Sequence, residues 1–276
     1  MSSKSNLSPA KKPNSQDEFR ISHPTIKKEK NPKDKLPTPT SIKKNIGPNR
    51  KCQKISSNTS KIKKHMCLKV ETTGLIGRYS KSAKTPKYDK LQYYEEARVI
   101  CIKWNIYEKV EGNKISEREI IVLNQKFTIS DLNQQIHRIS SDEMEKQGVS
   151  IDKALDEFMA SVKSVDLIIA HNIEFHLNVI KSELFRLGRK TDINQINKKL
   201  KFCTSKDAKE LFPNPNYDEK SQQNYYPGCE YVPKYLKKTF EDLCMVLLER
   251  KVELKEHLDC MKEIFVKLKE MQHVNF

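Results

Sequence analysis

No apolar run in the chain approaches the roughly 18 residues that a membrane-spanning helix requires. Its polar start also lacks the apolar core of a signal peptide. The seven cysteines (Cys52, Cys67, Cys101, Cys203, Cys229, Cys244 and Cys260) are odd in number and form no C-x-x-C pair. That spacing argues against a disulfide framework and predicts a reducing compartment, with Cys67 and Cys101 as small apolar strand residues. No internal repeat is apparent, and the first quarter of the chain is almost without aromatics. These absences predict a soluble, intracellular protein with no membrane partner, and leave nuclear and cytoplasmic placement equally open.

The first quarter is rich in one charge. Residues 1–64 hold 17 Lys and Arg against 4 Asp and Glu, a net of +13, with 7 of the 12 prolines and a single aromatic, Phe19. The other 212 residues carry only +3. A segment of this composition cannot bury enough apolar surface to offset its ordering entropy, so residues 1–64 are expected to form a disordered basic tail. Lys11-Lys12, Lys27-Lys28, Lys43-Lys44 and Lys61-Ile62-Lys63-Lys64 suit counterion release on a polyanion. The same charges would also serve a solvated linker, and no cluster is dense enough to specify nuclear import. Ser8-Pro9 and Thr38-Pro39 offer phosphate-accepting sites that would cancel positive charge.

Residues 65–276 read as one folded α/β domain. Strands are expected at 66–71, 97–107, about 117–125, 165–170 and 200–204, with Glu111-Gly112-Asn113 as a turn. Ile151, Leu155, Phe158, Met159 and Val162 fall at helical spacing. A second helix runs from about 174 to 187 and stops at Gly188. Residues 213–233, with four prolines, read as a loop, and two helices close the chain at about 234–249 and 254–270. The expected fold is a mixed five-stranded sheet flanked by helices.

Three motifs carry chemistry. Leu68-Lys69-Val70-Glu71-Thr72-Thr73-Gly74-Leu75 resembles the D-x-E-T-T-G-L opening of the DnaQ-like (DEDDh) 3′–5′ exonucleases, in the ribonuclease H-like superfamily. Ala170-His171-Asn172-Ile173-Glu174-Phe175-His176 is similar to that family's A-H-N-x-x-F-D. Leu254-Lys255-Glu256-His257-Leu258-Asp259-Cys260 aligns with its H-x-x-x-x-D-[AC]. Between them, Ile136-His137-Arg138-Ile139 followed by Gly148 resembles an I-H-x-I…G segment, so the likeness spans about residues 65–270.

The resemblance implies four carboxylates holding two divalent ions about 4 Å apart, with a histidine as general base. Carried over by position, the first aspartate is Lys69, the glutamate is Glu71 and the second-motif aspartate is His176. The general-base histidine is Leu254, and the last aspartate is Asp259. No intact catalytic set remains. Unit charges ~4 Å apart interact by about 4 kcal/mol at an effective dielectric of 20, and a divalent ion doubles this, so an ammonium at position 69 repels an ion there. Lys69 is expected to replace the metal and to pair with both Glu71 and Asp259. His257, about 200° around the last helix from Asp259, is expected to lie away from the site. Among nucleic-acid contacts the resemblance implies Thr72, Thr73, Leu75 and Asn172. Tyr225, Tyr226, Tyr231 and Tyr235 offer stacking surfaces, or pack a loop.

Three functions follow. One is a degenerate exonuclease-fold module that binds nucleic acid, single-stranded or at a 3′ end, through cleft and tail, or binds a protein partner. No cofactor is expected for it. Another is a metal-dependent 3′–5′ exonuclease with an atypical site, in which Glu71 and Asp259 would ligate Mg²⁺ or Mn²⁺. The last is a structural interaction domain without nucleic-acid contact.

Overall fold

The structure is a computed structural model that describes residues 62–77, 85–124, 127–212, 236 and 239–273. Most of the expected basic tail and the expected loop at 213–233, with its tyrosines, lie outside the described residues. Two tail positions nevertheless belong to the fold: Ile62 is buried and the first strand starts at Lys64.

That strand, β1 (Lys64–Thr72), is central because its residues alternate between two buried faces. It pairs antiparallel with β2 (Val99–Glu108), which pairs antiparallel with β3 (Lys114–Ile121). On its other side β1 runs parallel to β4 (Leu167–Ala170), and β4 runs parallel to β5 (Leu200–Cys203). The order β3-β2-β1-β4-β5 is the mixed five-stranded sheet expected from the sequence.

Helices cover both faces. Met66, Leu68, Val70, Trp104 and Ile168 pack against α3 (Ile151–Ser164), α4 (Ile173–Arg186) and α5 (Lys190–Lys198). The α3 stripe of Leu155, Phe158, Met159 and Val162 is fully buried, each side chain contributing about 2 kcal/mol of transfer free energy. On the opposite face Cys67, Tyr107, Leu167, Ile169 and Phe202 meet α7 (Phe240–Leu247) and α8 (His257–His273). Short helices α1 (Asp131–His137), α2 (Ser141–Gln147) and α6 (Thr204–Asp207) complete the fold. Ser130, Ser140 and Ser150 each cap a helix, accepting a bond from the backbone N–H three residues on. Gly188 ends α4 with φ +71, a left-handed turn that glycine adopts without steric cost.

Candidate functional site

Odd residues of β1 point to the α8 side of the sheet, so Lys69 and Glu71 emerge together at the end of the central strand. Lys69 Nζ lies 2.8 Å from Glu71 Oε1, and the two side chains are 19% and 12% exposed. This is a partly desolvated pair, held more tightly than a rim contact. Lys103 stands directly opposite Lys69 across the β1–β2 ladder, and its Nζ is 2.5 Å from Glu119 Oε1 on β3. Two like charges face to face are therefore each neutralised by a neighbouring carboxylate.

These four residues floor a cavity of about 580 Å³. One wall is the end of α1 and its exit, His137 to Ile139. The other is Val252 to Leu258, where a single 3-10 turn (Leu254–Glu256) leads into α8. Five cationic residues (Lys69, Lys103, Arg118, Arg138 and Lys255) and five carboxylates (Glu71, Glu117, Glu119, Glu143 and Glu253) line it, so the lining is charge-balanced.

Lys69, Glu71 and Leu254 line this cavity, while His176 and Asp259 are not among its lining residues. Both ring nitrogens of His176 are engaged. Nδ1 accepts from the Val70 N–H at 3.2 Å, so Nε2 carries the proton and donates to the His171 carbonyl at 3.0 Å. Burial pushes its pKa down to about 4. A neutral imidazole thus stitches the start of α4 to β1.

Asp259 departs from expectation. Its Oδ1 accepts from Tyr107 Oη at 2.5 Å and Asn105 Nδ2 at 3.1 Å, and its Oδ2 is 3.1 Å from Lys114 Nζ. Partial burial works to raise its pKa, but the bonds from Tyr107 and Lys114 hold it below the ordinary value. Lys69 therefore pairs with Glu71 and not with Asp259, because the β2–β3 hairpin already supplies Asp259 with partners. The aspartate faces that hairpin, so the position about 200° around α8 faces the cleft. His257 accordingly lines the cavity, contrary to expectation. It stacks on Phe240 at 3.9 Å, and burial followed by the charge of Lys69 pushes its pKa down to about 3. Phe240 in turn meets His171 edge-on, and His171 Nδ1 lies 3.0 Å from the buried Thr204 hydroxyl.

The motif-1 turn is internally bonded. The Thr72 hydroxyl donates to the Gly74 carbonyl at 2.7 Å, and the Thr73 hydroxyl donates to the Glu96 carbonyl and accepts from the Arg98 N–H. Leu75 is 78% exposed. Asn172 is exposed and left-handed (φ 63), a conformation asparagine tolerates. Unanticipated from sequence is the bidentate pair of Arg98 with Glu183 (2.6 and 2.9 Å), which locks β2 to α4 with the carboxylate 2% exposed.

A two-ion centre of four carboxylates does not fit these residues. Glu71 is bonded to an ammonium, both nitrogens of His176 are used, and Asp259 has three partners. Among the described residues no group of three or more His, Cys, Asp or Glu is placed to hold a metal.

No family model and no curated protein matches this sequence. Solved structures do match the fold. A product-bound exonuclease I superposes with a TM-score of 0.52 at 10% identity, over 77% of this chain and 46% of that one. E. coli exonuclease I in complex with a 5cy-dA13 oligonucleotide gives 0.50 at 10% identity, over 77% and 43%. The moderately thermophilic exonuclease I from Methylocaldum szegediense gives 0.51 at 11%, over 76% and 41%. The chain spans less than half the length of these structures. The likeness establishes an α/β exonuclease-like fold.

Proposed function

We propose that this chain is a pseudo-exonuclease, an exonuclease-fold domain that binds nucleic acid without hydrolysing it. The observation that carries this reading is the Lys69 ammonium 2.8 Å from Glu71, at the position where the resemblance calls for a metal-binding carboxylate. An ion there would meet like charge and a carboxylate already spoken for. The engaged nitrogens of His176 and the three partners of Asp259 support the same conclusion.

A nucleic-acid ligand is supported by the sequence pI of 9.4 and by exonuclease I having been solved with an oligonucleotide. Within motif 1, exposed Leu75 is the side chain available to pack on a terminal base, while Thr72 and Thr73 shape the turn. Asn172, exposed at the start of α4, is the other residue of the resemblance left free to contact a ligand. An ExoI/SSB-Ct complex with a TM-score of 0.51 is the basis for including a protein segment as a partner class.

One observation favours a second reading, a metal-assisted nuclease. His257 lines the same cavity as Glu71, which puts an imidazole within the site where a general base would act. The test is full-length protein with a labelled single strand in EDTA, Mg²⁺ and Mn²⁺. The expected result is binding in all three and mononucleotide release in none. Metal-dependent release that disappears in Glu71→Gln would overturn the proposal, and its loss in His257→Ala as well would establish the second reading.

A further inference from the structure

Charge is distributed unevenly between the two ends of the central strand. The cavity at the Glu71 end is lined by equal numbers of cations and carboxylates. A second groove, of about 820 Å³, lies at the Lys64 end and is lined by Lys63, Lys64, Lys109 and Lys269 against Glu108 and Glu111. Glu111 is held by Lys269 at 3.6 Å, whereas Lys63, Lys64 and Lys109 make no ion pair among the described residues. Lys109 sits at φ 47, a backbone position cheaper for glycine or asparagine, yet it carries a long cationic side chain. Its N–H donates to the Lys63 carbonyl at 2.7 Å, fixing the hairpin turn beside the start of β1. The groove is also where the chain enters the fold: its lining residues Ile62 to Lys64 are the last of a segment, residues 1–64, with a net charge of +13.

We infer that the phosphate backbone of a nucleic acid is held at this Lys63–Lys64–Lys109–Lys269 groove, continuous in sequence with the basic segment, and not in the cleft that resembles an exonuclease site. Lys63, Lys64 and Lys109 offer ammonium groups without an ion-pair partner among the described residues, and releasing counterions from phosphates there drives association, while Lys269 offsets Glu111. The charge-balanced cleft gains no such drive, since every phosphate brought near Lys69 or Lys103 also meets Glu71 or Glu119. This inference rests on the nucleic-acid-binding reading and specifies where the ligand makes its ionic contacts.

The test uses full-length protein and a labelled oligothymidylate, with affinity measured by fluorescence anisotropy over a range of salt. One variant carries Lys63→Gln, Lys64→Gln and Lys109→Gln. A control carries Arg118→Gln, Arg138→Gln and Lys255→Gln at the cleft. The groove variant should bind about tenfold more weakly and lose about 3 from the log–log salt slope, roughly one per lysine. The cleft variant should stay within about twofold of the parent. The reverse pattern, or equal losses in both, would overturn the groove assignment while leaving nucleic-acid binding intact. Absence of binding by the parent chain, or binding to anionic phosphatidylserine vesicles alone, would overturn both readings. Circular dichroism of each variant verifies that the fold is retained.

Discussion

Lys69 and Lys103 face each other across the β1–β2 ladder, and each is tied to the carboxylate of a neighbouring residue, Glu71 and Glu119. The result is a neutral lattice of alternating charge at the end of the central strand. Removing one member exposes the others to uncompensated repulsion. Replacing Lys69 with Asp brings its carboxylate beside that of Glu71, and we expect a loss of about 1–3 kcal/mol at neutral pH. Because one of the crowded carboxyls would then bind a proton more readily in the folded state, part of the loss should be recovered as pH falls below about 6. Urea denaturation of parent and variant at two pH values checks both sign and size.

Arg98 and Glu183 form the most enclosed ion pair described. Glu183→Gln leaves the guanidinium without its bidentate partner and should cost about 3–5 kcal/mol. Replacing both residues with apolar ones of similar volume should cost much less, since no buried charge is then stranded. A double-mutant cycle in urea separates the two cases.

Acid should weaken the fold before it protonates many carboxylates. His65 is fully buried, stacked on Tyr107 at 5.1 Å, and burial pushes its pKa down to about 4, as it does for His176. An imidazole with a folded pKa below its ordinary value of 6.5 takes up a proton in the unfolded chain first. Stability is therefore complete above about pH 6.5 and falls towards pH 4, by up to about 1.4 kcal/mol per pH unit for each such group. His65→Phe keeps the stacking and should flatten this slope; an unchanged slope would show that His65 does not contribute to it.

Lys181 is 8% exposed on α4, and burial, followed by the charge of Lys201, lowers its pKa to about 8. The sign is the same as for His65, in a higher pH window: a lysine whose folded pKa is depressed penalises the fold below about pH 8, and the penalty lifts as pH rises towards 10.5. Lys181→Met should raise stability at neutral pH by about 1–3 kcal/mol and leave it little changed near pH 10. Thermal melts at both pH values provide the check.

Most of the sheet could be read from the sequence because β1, β2 and β4 are buried on both faces or alternate cleanly. The strand expected at 117–125 is observed at Lys114–Ile121. It is the exposed edge strand, charged along most of its length, so apolar residues mark only its end and drew the expected position downstream. Helices α1, α2 and α5 were missed because each spans nine residues or fewer. For α1 and α2 the available signal was Ser130 and Ser140, each followed by acidic residues; α5, which starts after Arg189, has no such cap. At the site, the Lys69–Glu71 pair followed from strand alternation alone. The partners of Asp259 did not, since Asn105, Tyr107 and Lys114 lie more than 140 residues away in sequence. Placing His257 outside the cleft followed from assuming that Asp259 pointed into it.

Electron paramagnetic resonance of Mn²⁺ titrated into the full-length protein tests most directly whether the Lys69 ammonium has taken an ion's place. We expect no saturable binding at the cleft, with parent and Glu71→Gln curves superimposable. Saturable uptake of two ions by the parent, lost in Glu71→Gln, would contradict the account.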